Sequence, residues 1–172
     1  MISMNGISGQ PSKPDIAWPT GLVPGKAYVH AHNEMLIPAK SELCFAWLCR
    51  ASLWPTWYSN CGWFKFDTTA GPDLMPDTSF TWQTFHAPVH STVRRFDPPL
   101  HLEWDAYAFG TYAYHGWHFV PQGDQCLVIT EETQTGLVPF FFRWYLPGML
   151  QRGHQTSLEG LRTVTASGRL PE

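Results

Sequence analysis

From residue 60 the chain takes up a period of two and keeps it to about residue 134. The runs NCGWFKF, SFTWQTFH, HSTVRRF, LHLEWDAYAF, TYAYHGWHFV and CLVITEETQ each read as a strand. The pattern is plainest in LHLEWDA, where Leu100, Leu102, Trp104 and Ala106 face one way and His101, Glu103 and Asp105 the other. The breaks between the last four runs are only Asp97-Pro98-Pro99, Gly110 and Pro121-Gln122-Gly123-Asp124. A parallel pairing needs a crossover of a dozen or more residues, so strands joined this closely are antiparallel neighbours. The segment DTTAGPDLMPDT, residues 67–78, is a loop by its Gly, Pro, Asp and Thr.

The two ends of the chain carry a different signal. KAYVHAHNEMLI, residues 26–37, suits a strand that Pro38 stops. SELCFAWLCR follows as a helix, with Ser41 placed to cap it and Leu43, Cys44, Trp47 and Leu48 on one face. A second short helix or turn spans Leu53 to Tyr58, with Pro55 in its first turn, where a missing N–H costs nothing. Residues 137–165 are helix-compatible, with a kink or restart at Pro147-Gly148. Beyond it, Leu150, His154, Leu158 and Leu161 share a face. The order is strand, two short helices, six strands, long helix, which predicts an α+β domain with helices on one face of a curved antiparallel sheet. The domain is expected over residues 26–166, after a flexible N-terminal arm, 1–25, and before a short tail, 167–172.

Aromatic residues make up 15% of the chain, nine of them Trp, and ASLWPTWYSNCGWF gathers Trp54, Trp57, Tyr58, Trp63 and Phe64 around Pro55. A small core cannot absorb all of these rings, so some should line a cavity. The net charge is −3, and the 11 Lys and Arg are scattered, which argues against nucleic acid as a partner. No apolar run reaches 18 residues, so no membrane span is expected. The N-terminus lacks a signal-peptide pattern, and a cytoplasmic protein with reduced thiols at Cys44, Cys49, Cys61 and Cys126 is expected.

Several segments resemble a known family. IPAKSELCFAWL followed by WPTW, then PDTSFTWQTFHAPVHSTVRRFDPPLHLEW, then HGWHFVPQGDQCLVITEE, are similar in kind and order to START-like domains of the polyketide cyclase/dehydrase type, the SRPBCC superfamily. The resemblance runs from residue 27 to about 165. It implies a helix-grip fold: a seven-stranded antiparallel sheet wrapped around the C-terminal helix, with a deep apolar cavity between them. The family includes cyclases and lipid carriers, so the fold alone does not give the activity. The aromatic load of LVPFFFRWYLPGML departs from the family's usual pattern and points to a reshaped cavity mouth or a homodimer surface.

By alternation the concave face should carry Phe80, Trp82, Thr84 and His86, with Trp104 on a neighbouring strand. The parity of TYAYHGWHFV is open: His115 and Trp117 share one face, Tyr114 and His118 the other. With His115 and Trp117 inward, His115 is a candidate acid/base; the plainer reading is a half-buried His bonded to a strand neighbour. One of Glu131 and Glu132 must point inward, and Glu132 is the chosen proton carrier, with Tyr114 as a further one. Arg95 would bind an enolate or carboxylate if it faced in; a surface pair with Glu103 or Asp105 is the alternative. Trp57 and Thr130 complete the substrate-binding set.

His30-x-His32 has a zinc-compatible spacing but no evident third ligand, and no metal is expected. The expected function is cofactor-free cyclisation, dehydration or isomerisation of a hydrophobic polycyclic or polyketide-like small molecule. A carrier or sensor of an apolar ligand is the alternative, and an interaction protein a third.

Overall fold

The computed structural model describes residues 15–67 and 71–172. Seven strands, β1 (Val29–Ile37), β2 (Cys61–Phe66), β3 (Ser79–Thr84), β4 (Ala87–Asp97), β5 (His101–Ala108), β6 (Thr111–Gln122) and β7 (Gln125–Thr135), form one antiparallel sheet ordered β1-β7-β6-β5-β4-β3-β2. Each short break in the sequence is a hairpin, and β1 adds to the far side of β7. The sheet curves because β2 and β4 carry register shifts, in β4 between Val93 and Arg95. Within the expected loop, residues 68–70 lie outside the described residues.

After β1 come α1 (Ser41–Cys49), a 3-10 turn (Ala51–Leu53) and α2 (Trp54–Trp57). The C-terminal stretch divides into α3 (Leu137–Phe142) and α4 (Leu146–Thr165). The break falls at residues 143–145, ahead of Pro147, since proline is tolerated in a first helical turn. Helix α4 lies along β1 and against α1 and α2, and buries Leu150, His154, Leu158 and Leu161.

Trp54 is the centre of the aromatic core. Its ring lies 5.2 Å from Trp82, 5.4 Å from Phe64, 5.6 Å from Trp104 and 5.8 Å from Phe80, and its indole N–H donates to the Leu48 carbonyl at 2.9 Å. The WPTW segment is therefore a plug that packs one end of the grip.

Residues 15–25, expected in a flexible arm, instead lie on the convex face; residues 1–14 are outside the described residues. Ile16 and Leu22 bury against Tyr114, and the Thr133 hydroxyl donates to the Leu22 carbonyl at 2.7 Å. Beneath this strap the fully buried Glu103 accepts from the Ala17 N–H at 3.1 Å, Arg95 at 3.1 Å and the Tyr114 hydroxyl at 2.8 Å. The anchoring is physical: Ile16 and Leu22 leave water, and the buried Glu103 carboxylate gains a further donor in the Ala17 N–H.

Candidate functional site

A cavity of about 310 Å³ lies between α4 and the concave face of the sheet. It exists because small residues stand where the sheet bends over the helix. Ala106 and Ala113 are cross-strand partners on β5 and β6, and Ala87 and Ala108 extend the same floor. Trp82, Trp104, Val89, Tyr58, Leu146 and Met149 supply apolar walls.

Three polar side chains converge in this cavity. His115 and Glu132 are direct partners across β6 and β7, and His154 faces them from α4. Glu132 Oε2 lies 3.6 Å from His115 Nδ1 and 3.3 Å from His154 Nε2, while Glu132 Oε1 accepts from Gln134 at 2.6 Å. His115 Nε2 is tied to the Thr130 hydroxyl at 2.7 Å. The His115 ring stacks on His154 at 4.9 Å and lies 4.8 Å from Trp104.

The electrostatics divide the roles. Burial, reinforced by His154 and opposed by Glu132, lowers His115 to about 3, so its imidazole is neutral near neutral pH. Burial alone would raise Glu132, but the hydrogen bond with His154, the two imidazoles and the Gln134 donor outweigh it and lower its pKa, so the carboxylate is ionised. An ionised carboxylate thus sits beside the neutral His115 imidazole in an apolar chamber.

These three groups have ligand atoms within 4.8 Å of one another, close enough to be weighed as a metal centre. A metal ion there would be held by one nitrogen of each imidazole and a Glu132 carboxylate oxygen. The same trio is also joined by hydrogen bonds, Glu132 pairing with His154 and accepting from Gln134.

Of the sequence-derived residues, the structure places Trp82, Thr84, Trp104, His115 and Glu132 on the cavity wall. Thr130 is buried behind His115 and holds its ring. Trp57 and Trp117 border a much smaller space beside Trp54, and Phe80 is wholly buried against Trp54 and Phe64.

Three assignments need correction. Tyr114 has the opposite strand parity to His115 and lies under the N-terminal strap, bonded to Glu103, with its pKa raised mainly by burial. Arg95 is on the same convex side, paired with Glu103 at 3.1 Å and Asp15 at 3.4 Å. His86 sits in the β3–β4 turn, where a φ of 63° turns the chain, and does not line the cavity; its neighbour Phe85 does. On the outer face of β1, His30 and His32 meet Glu131, whose Oε1 is 2.6 Å from His32 Nδ1 and 3.8 Å from His30 Nε2.

His154, Tyr58 and Gln134 were missed. His154 did carry a signal, as a lone histidine on the Leu150, Leu158, Leu161 face of a helix. Nothing local marked Tyr58, whose placement depends on how α2 packs.

Comparison with known proteins agrees with this geometry. The crystal structure of hypothetical protein jhp0584 from Helicobacter pylori is similar with a TM-score of 0.82 and 24% identity, over 91% of this chain and 99% of that one. Zhui aromatase/cyclase from Streptomyces sp. R1128 is similar with a TM-score of 0.67 and 11% identity, over 80% and 93% of the two chains. Norcoclaurine synthase from Thalictrum flavum, solved with dopamine and hydroxybenzaldehyde, gives 0.63 and 12%, over 83% and 88%. At these identities the likeness is one of fold. A search of curated proteins found no match. The sequence profile described as "Polyketide cyclase / dehydrase and lipid transport" matches residues 28–166, most of the chain. With the seven-stranded grip around α4, that match establishes that the chain belongs to the polyketide cyclase/dehydrase and lipid transport family.

Proposed function

We propose that the protein binds a hydrophobic polycyclic or polyketide-like small molecule in this cavity and catalyses its cyclisation, dehydration or isomerisation by cofactor-free acid/base chemistry. The observation that carries the reading is the convergence of His115, Glu132 and His154 inside an otherwise apolar chamber. A carrier needs one polar anchor; a proton-transfer catalyst needs a base and a second titratable group beside it.

Glu132, ionised and partly desolvated, is the base that takes a proton from a carbon next to a carbonyl. Thr130 and Gln134 are positioning residues that hold His115 and Glu132. The apolar walls keep water from competing for the proton. The cyclase/dehydrase and lipid transport family, and the aromatic compounds named with norcoclaurine synthase, support a substrate of this kind.

Mass spectrometry of small molecules released on denaturing the purified protein tests the ligand class. A planar polycyclic or polyketide-like compound is expected. Recovery of common lipids alone would contradict the catalytic reading and support the carrier function that the family's lipid transport members suggest.

A further inference from the structure

The mouth of the cavity opens among the most exposed aromatic residues of the molecule. Phe109, at the tip of the β5–β6 hairpin, is 93% exposed, and Trp144, just after α3, is 80% exposed. Leu137, Phe141, Phe142 and Tyr145 are exposed with them. The two segments form one surface: the Val138 N–H donates to the Gly110 carbonyl at 3.1 Å, joining the start of α3 to the hairpin. The same surface continues inward, because Phe109, Val138 and Leu146 also line the cavity. Single exposed apolar residues are ordinary, but a contiguous aromatic patch marks a contact surface.

The charge around the patch is one-sided. Between Glu132 and Glu159 the only charged residues are Arg143 and Arg152, and between Asp105 and Asp124 there are none. Arg143 lies over the Trp144 ring at 4.0 Å and the Phe140 ring at 4.9 Å, so its cation is held within the aromatic surface. The molecule as a whole is negative, at −3, yet residues 137–145 carry one cation, Arg143, and no carboxylate. Trp and Tyr with an adjacent Arg are the residues that settle at a bilayer interface, and the positive sign matches an anionic leaflet.

We infer that the face formed by Phe109 and residues 137–145 docks on an anionic lipid surface, with the cavity mouth turned toward the bilayer. An apolar ligand then passes between the acyl region and the cavity without crossing water. The docking face is independent of the chemistry proposed for His115 and Glu132, and either can stand if the other falls.

Flotation of the full-length protein with vesicles tests the inference, using phosphatidylcholine alone and phosphatidylcholine with roughly one-third phosphatidylglycerol at low ionic strength. The protein should float with the anionic vesicles, and less with the neutral ones or at high salt. Phe141→Ser/Trp144→Ser and, separately, Phe109→Ser should each weaken flotation about tenfold or more while leaving the thermal midpoint unchanged, since these side chains are exposed. Quenching of tryptophan emission by brominated lipid should fall in Trp144→Phe. Absence of flotation, or equal flotation of wild type and both variants, would overturn the proposal. A dimer in sedimentation equilibrium that Phe141→Ser/Trp144→Ser dissociates, without flotation, would likewise overturn it and assign the face to a second copy of the chain.

Discussion

Glu132 owes its setting to two neighbours in opposite directions: Gln134 fixes one carboxylate oxygen, and the two histidines face the other. Glu132→Gln keeps the shape and removes the base, so proton abstraction from a bound ketone should fall by about 10²–10⁴-fold with little change in binding. Thr130→Val removes the hydroxyl behind His115 while filling nearly the same volume. If Thr130 positions the ring, the rate should fall about tenfold and its pH profile should shift; a purely structural role would lower only the thermal midpoint. The alternation in β6 offered two parities because both faces of that strand are buried. His115 faces the cavity, while Tyr114 is covered by Ile16, Trp18 and Leu22. A strand apolar on both sides gives period-two reasoning no polar face to use as a reference, and Tyr114 was misplaced for that reason.

Helix α4 shows how an element carries both packing and chemistry. Ala in place of Gly usually stabilises a helix by about 1 kcal/mol. At Gly160 the sign should reverse, because a Cβ there would run into the Trp57 carbonyl oxygen at the α2 crossing; a loss of about 1–3 kcal/mol is expected in denaturant unfolding. At Gly148 the nearest atom is the tip of Arg152 at 3.6 Å, so Gly148→Ala should gain about 0.5–1 kcal/mol. Equal responses at the two sites would contradict the close α2–α4 crossing. The apolar face of α4 was legible as Leu150, His154, Leu158 and Leu161, and so were the strands, since their turns are short and their alternation is clean. The exact break before α4 was not: Pro147 marks a helix start as readily as an interruption, and only packing decides.

At the scale of the whole molecule, buried histidines set the response to acid. Burial lowers His115 to about 3 and His101 to about 4, and also lowers His118. Below their ordinary value of 6.5 the unfolded chain takes up protons that the folded chain refuses, so stability falls as pH drops from 6.5 toward 4. Glu103, raised by burial, works in the opposite sense, but it is one group against three. The thermal midpoint should therefore decline between pH 7 and 5, before carboxylates normally titrate; a flat midpoint down to pH 5 would contradict the buried neutral state of these rings. The α+β class was legible from the order of elements, and the grip and its cavity through the family resemblance; the cavity's shape was not, because its volume depends on where Ala106, Ala108 and Ala113 meet α4 in space.

The central claim is that a base acts inside an apolar chamber, and proton exchange tests it directly. The measurement is hydrogen–deuterium exchange at the carbons beside the carbonyl of 2-tetralone, a two-ring apolar ketone, followed by NMR in deuterated buffer with wild type, Glu132→Gln and Ala113→Trp. The account predicts that wild type accelerates exchange well above buffer, that Glu132→Gln binds the ketone without accelerating exchange, and that Ala113→Trp, which fills the chamber, does neither. Binding by wild type with exchange no faster than buffer, or acceleration that survives in Glu132→Gln, would contradict it.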